Sequence, residues 1–231
     1  MSLTTSPQTT SDPVDSVSST VTPSISSLIL DIKADLRASM NGLASRTIRE
    51  SGMGYKLVFG VELPRLRQIA AEYQTERALS TETRCHLALS LWQENIRECK
   101  LLAVLIYSVD EFDRDVADFW ISDLQNEQAE VAQLLSMEQL CKMPQAADFS
   151  FLLMADERPI FQLCGFLTLT RLLMRGAQLS PDSETEFLDQ AAATLPTPFL
   201  PLKKAVQNAL LRYAESSDEA QNKAYQIFQI L

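Results

Sequence analysis

Arg171 and Arg175 stand four residues apart in a run that is otherwise almost wholly apolar, Ile160 to Arg175. On a helix this spacing puts both guanidinium groups on one face, where like charges repel unless an anion lies between them. The other side chains with chemical potential are scattered. Cys85, Cys99, Cys141 and Cys164 contain no CxxC pair, and His86 is the sole histidine, so no metal site is expected. Cys99 and Cys164 sit in apolar helical runs, as small buried thiols do. The loop Ser51-Gly52-Met53-Gly54-Tyr55-Lys56 has turn chemistry, but no Gly-Lys-Ser/Thr follows, so it cannot cradle a nucleotide phosphate. Tyr55 and Lys56 lie there in a place where functional residues concentrate. Trp92 and Trp120 both fall within apolar stripes and are expected to supply buried area. No cofactor is expected.

The elements that must position these groups are helical. The chain has 231 residues, six glycines and ten prolines, and Leu, Ala, Glu, Gln and Arg dominate it. Residues 1–24 are rich in Ser, Thr and Pro and are expected to form a disordered tail. Ile25, Leu28, Ile29, Ile32, Leu36 and Met40 make the inward stripe of a first helix, ended by Asn41-Gly42. A short helix to Glu50 follows, and Pro64 opens another. Leu87 to Asp110 is expected to organise its surroundings as a helix, a tight corner and a second helix. Asn95 is read as that second helix's cap, and Glu98 as its capping-box partner. Phe112, Val116, Phe119 and Trp120 define the next inward face, and Asn126 to Lys142 the helix after it. Pro144, Pro159 and Pro181 each open a further helix, and the one after Pro159 is apolar on most sides, hence central. Leu202 to Tyr213 and Asp218 to Leu231 close the chain.

No stretch reads as a strand. From Thr81 onward helices pair at roughly 30-residue spacing, which predicts an all-α fold, an α-α superhelix of irregular HEAT-like pairs in one domain over residues 25–231. A closed helical bundle is the alternative. The net charge of −10 argues against indiscriminate attraction to nucleic acid or anionic lipid, but leaves room for a local basic groove. No run is long and apolar enough for a membrane span, and no signal peptide is evident, so a cytoplasmic, reducing setting is expected.

Phe59-Gly60-Val61 with Pro64, Leu66, Arg67, Ile69 and Ala70, then Leu91-Trp92 with Glu98 and Leu102-Ala103, resemble two ordered segments of the AlkD-like DNA alkylation repair family. Cys141-Lys142-Met143-Pro144 and the run around Gly165 resemble a bacterial branch of it. The resemblance spans about residues 25 to 231 and implies a curved stack of HEAT-like pairs with a basic concave groove. In active members a carboxylate stabilises the positive charge developing on the sugar, tryptophans pack against the deoxyribose and backbone, and an arginine holds a phosphate. Here the stretch Gln128-Ala129-Glu130-Val131-Ala132 takes the place of the family's W-D-x-V-D type motif, leaving Gln128 for the tryptophan and Ala132 for the carboxylate. Pro159-Ile160-Phe161-Gln162 takes the place of its W-x-R-R type motif, without an arginine.

The resemblance therefore implies a DNA-binding protein whose base-excision residues are missing. Its phosphate contacts would come from Lys56, Arg65, Arg67, Lys142, Arg171, Arg175, Lys203 and Lys204. Two other readings stay open: a helical-repeat scaffold for a protein partner, favoured by the acidic balance, and a glycosylase that uses Glu130 instead.

Overall fold

Short polar side chains start several of the helices. The computed structural model describes residues 23–52 and 54–229; the expectation for the tail falls almost entirely outside them. Ser24 Oγ accepts from the Ser27 N–H at 3.2 Å and opens α1 (Ile25–Ala38). Asn41 does the same for the Ala44 N–H at 3.2 Å and opens α2 (Gly42–Glu50). Asn41-Gly42 thus begins a helix instead of ending one, and Met40, expected on the inward stripe, is 59% exposed. Pro64 lies in the first turn of α3 (Leu63–Ala71). Ser80 caps α4 (Thr81–Gln93), Asp113 caps α6 (Arg114–Asp123) and Ser180 caps α10 (Pro181–Thr194). Each such cap satisfies an otherwise unpaired N–H and stabilises its helix by about 1 kcal/mol. The remaining helices are α5 (Arg97–Ile106), α7 (Ala129–Glu138), α8 (Ala146–Met154), α9 (Pro159–Met174), α11 (Leu200–Ala214) and α12 (Asp218–Gln229). Among the described residues the one β-type pairing is an isolated bridge between Leu57 and Ile96.

The helices form two layers. α3, α5, α7, α9 and α11 stack in succession, while α4 covers α5, α8 covers α9 and α10 covers α11. α1 packs on α4, and α12 closes the far end against α10 and α11. One buried cluster runs from Leu28 to Ile227. This is the superhelix of HEAT-like pairs that the 30-residue spacing predicts. α9 is indeed central, touching α6, α7, α8 and α11, and α5 is buried along its whole length from Glu98 to Ile106.

Trp92 and Trp120 tie α4 to α6. Their rings stack with centroids 4.3 Å apart and planes 1° from parallel, and both are essentially without solvent contact. Tyr107 and Phe112 meet Trp120 edge-on. Both indoles are thus core, as their stripes predict. Phe119 is not: it is 50% exposed.

Two sequence expectations give way to long-range contacts. Asn95 does not cap α5; Ile96 occupies that position without a side-chain bond, and the Asn95 carbonyl instead accepts from the Lys56 and Leu57 N–H groups. Glu98 reaches out of its own helix altogether. Fully buried, it accepts from the backbone N–H groups of Phe59 (3.0 Å), Gly60 (2.9 Å) and Val61 (3.3 Å). This pins the extended segment before α3 across the start of α5. Gly60 has φ of +76°, and a Cβ there would lie 2.4 Å from the Asn41 carbonyl oxygen, which explains why Phe-Gly-Val works as a unit. The expected helix over Asn126 to Lys142 is also divided. A 3-10 turn with a Gln125/Gln128 capping box precedes α7, and Gln139 leaves the helical path to donate to the carbonyls of Val104 (2.8 Å) and Tyr107 (3.1 Å) at the end of α5.

Gly165 marks the tightest crossing of α8 and α9. A Cβ there would lie 2.7 Å from the Met154 backbone nitrogen and 2.8 Å from the Ser150 carbonyl oxygen, neither of which can step aside. Gly165→Ala is expected to destabilise the fold by about 1–3 kcal/mol through forced separation of the two helices. Chemical denaturation of the purified variant reads this directly, and an unchanged midpoint would contradict it.

Candidate functional site

The C-terminal end of α7 gathers cations from three directions. Arg67 of α3 donates to Glu138 Oε1 at 2.6 Å, and Lys142 donates to the other oxygen at 3.2 Å. Arg171 of α9 donates to Met137 Sδ at 3.2 Å, and Arg175 donates to the Cys141 carbonyl at 2.9 Å. Two of these cations share the Glu138 carboxylate and the other two rest on neutral acceptors at the same end of α7, so positive charge is in excess there. The repulsion that their spacing predicts for Arg171 and Arg175 is eased by neutral acceptors, which hold both groups in place without cancelling their charge. Both also lie at the end of α9, where the helix dipole favours a cation. Burial alone would raise the Glu138 carboxyl, but hydrogen bonds from Arg67 and Lys142 outweigh it and hold the group below the ordinary carboxylate range. The Arg67 and Lys142 side chains remain 43% and 34% exposed. The cluster is thus a positively charged surface within reach of solvent.

A groove runs along the same layer of helices. Three clefts share the exposed side chain of Gln133: about 190 Å³ between α3, α5 and α7; about 380 Å³ between α7, α9 and α11; and about 400 Å³ farther along α9 and α11. Lys204 lines the second. Arg171 and Arg212 line the third, where Arg212 pairs with Glu215.

Glu130 lies where the first two clefts meet, and its charge is already answered. Arg97 binds it in a two-pronged fork, Nε to Oε1 at 2.7 Å and Nη2 to Oε2 at 2.8 Å. Arg97 Nη1 donates to the Val61 carbonyl and to Glu98 Oε1, both at 3.1 Å. Burial tends to lower the Arg97 pKa, but the bonds and charges of Glu130 and Glu98 prevail and raise it. Beside it the Tyr55 hydroxyl is buried without a hydrogen-bond partner. Burial and then the negative charge of Glu130 push the phenol well above its ordinary range.

Of the eight cations singled out from sequence, Arg67, Lys142, Arg171 and Arg175 converge, and Lys204 faces the groove. Arg65 is engaged with Ser39 and Gln68 outside the cluster, and Lys56 and Lys203 line none of the three clefts. Gln128 is spent on the capping box before α7 and Ala132 is fully buried, so neither position faces the groove. Ile160 and Phe161 are buried as well. Sequence reasoning missed Arg97, Arg212, Gln133 and Glu138. Arg212 was within reach, because Lys204, Asn208 and Arg212 recur every four residues on one face of α11. Arg97 was not, because its partner Glu130 comes 33 residues later. Among the described residues no group of three or more His, Cys, Asp or Glu side chains could hold a metal ion, and no helix is long and apolar enough to cross a membrane.

The model of a protein family described as DNA alkylation repair enzyme matches residues 32–226. A solved structure described as belonging to "a new family of proteins related to the HEAT-like repeat DNA glycosylases with affinity for branched DNA structures" superimposes with a TM-score of 0.68. The two chains are 20% identical over 86% of this chain and 80% of that one. A search of curated proteins finds no match.

Proposed function

We propose that this chain, which belongs to the DNA alkylation repair enzyme family, binds DNA through the cations gathered at the end of α7 and does not excise bases. The observation that carries the reading is the excess positive charge at the end of α7: Arg67 and Lys142 share the Glu138 carboxylate, while Arg171 and Arg175 rest on neutral acceptors. A phosphate backbone rewards such a surface by releasing counterions, even from a protein whose net charge is −10. Lys204 and Arg212 extend the track along the groove. The affinity of the structural neighbour for branched DNA makes branched molecules the substrates to test first. Four free thiols suit a cytoplasmic setting, where they stay reduced.

The second half of the proposal rests on the groove's one central carboxylate. Stabilising an oxocarbenium-like sugar needs negative charge that is free to act on it. Glu130 is held by a two-pronged arginine, and Ala132 has neither charge nor access. Incubation with alkylated duplex DNA is expected to release no methylated purine above the background without protein. Release that disappears in Glu130→Gln would overturn this half alone.

Glu138 provides the test of the binding half. Glu138→Gln removes the one opposing charge and keeps a single acceptor oxygen for Arg67 or Lys142, its NH2 facing the other cation. DNA affinity is expected to rise about three- to tenfold at ~0.1 M salt, with the salt dependence steeper by about one ion. Fluorescence anisotropy with labelled DNA measures both quantities. A fall in affinity would show that Glu138 serves the interface in some other way.

A further inference from the structure

The outer end of the groove carries an apolar ridge that phosphate binding does not require. Met174, the last residue of α9, is 50% exposed, and Leu211 of α11 is 56% exposed. The two line one cleft of about 400 Å³ together with Arg171, Asn208 and the Arg212–Glu215 ion pair. Leu211 also borders the neighbouring cleft, where Tyr225 of α12 is 60% exposed. Large apolar side chains are thus presented to solvent beside Arg171 and the Arg212–Glu215 pair. Neither layer of helices gains from their exposure. About half or more of each side chain is open to solvent, and Arg171 borders the patch.

We infer that Met174, Leu211 and Tyr225 form a wedge that meets the exposed face of a base pair at a DNA branch point while Arg171, whose charge no carboxylate contact answers, holds a flanking phosphate. The inference rests on the DNA-binding reading and deepens it by naming what part of the DNA is recognised. A continuous duplex hides its base faces in the stack and offers a groove only phosphates and edges. A branch exposes one flat apolar face at the end of each arm, bordered by phosphates on both strands. Leu and Met are side chains that proteins insert against unstacked base steps, and an aromatic ring stacks on any base whatever its sequence. The pattern on the protein is the complement of that pattern: apolar centre, a cation at its border. It is also continuous with the cluster at the end of α7, because Arg171 belongs to both.

The test compares a three-way DNA junction with a linear duplex of the same length and composition, using anisotropy at one salt concentration. The wild-type protein is expected to prefer the junction. Met174→Ala/Leu211→Ala is expected to lose about tenfold in junction affinity while binding the linear duplex within about twofold of wild type. Both residues are exposed, so the variant keeps its core, which circular dichroism checks. In a second measurement 2-aminopurine at the branch reports stacking directly; its fluorescence is expected to change on adding wild type and not on adding the variant. A variant that keeps the full junction preference, or that weakens on both substrates equally, overturns the wedge and leaves DNA binding standing. A wild-type protein that binds neither substrate at low salt overturns DNA binding and the wedge with it.

Discussion

Glu98→Ala is expected to destabilise the protein by about 3–5 kcal/mol, the range typical of breaking a buried, hydrogen-bonded charge network. The carboxylate has no solvent contact, and it serves four donors: the backbone N–H groups of Phe59, Gly60 and Val61 and the Arg97 guanidinium. Alanine leaves all three amides buried with nothing to accept them, each at about 1–3 kcal/mol less whatever the segment recovers by moving. Movement is restricted on both sides. Ser45 Oγ donates to the Val58 carbonyl at 2.7 Å, and the Asn41 N–H donates to the Phe59 carbonyl at 3.1 Å. Glu98→Gln should be milder, because the amide keeps one acceptor oxygen but turns an NH2 toward an N–H donor. Urea denaturation at neutral pH ranks the three proteins as wild type, Gln, Ala. A loss below about 1 kcal/mol for the alanine variant would mean that the segment before α3 is held chiefly by its apolar side chains.

The largest effect on binding is expected from Arg171→Gln/Arg175→Gln. Each arginine is held by a neutral acceptor, so neither spends its charge inside the protein. Counterion release is worth about tenfold per phosphate contact at ~0.1 M salt, so the double variant should bind DNA on the order of a hundredfold more weakly. Its plot of log affinity against log salt should flatten by about two ions. Glutamine is shorter than arginine but keeps a polar donor without the charge, and stability should fall by no more than about 1 kcal/mol from the lost interaction with the end of α9. Lys203→Gln serves as the control, since Lys203 lines none of the groove's clefts. If the double variant binds as wild type does, the cluster is not the interface.

The helices were legible where their signals are local. Pro159 and Pro181 open helices as expected, Ser24, Ser80 and Ser180 cap theirs from the position just before, and Gly176, with φ of +88°, stops α9. The failures share one cause. Asn95 and Glu98 have the spacing of a capping box, but a carboxylate three residues into a helix can as readily accept from a distant strand of backbone, and here Phe59 to Val61 arrive first. Likewise nothing near Gln139 announces that its amide will leave the helix for the end of α5.

The candidate site divides in the same way. That Arg171 and Arg175 share a face follows from their spacing. That they meet Arg67 and Lys142 at the end of α7 depends on how α3, α7 and α9 stack, which no local pattern encodes. The buried state of Ala132 follows from the apolar face of α7, whereas the neutralised state of Glu130 depends on Arg97 from another helix.

The most direct test of the account is the salt dependence of wild-type affinity for a branched DNA substrate. With four cations opposed by one carboxylate, log Kd is expected to rise linearly with log salt concentration with a slope of about three, and more if Lys204 and Arg212 also reach the backbone. Absence of binding at low salt, or binding that salt does not weaken, would contradict it.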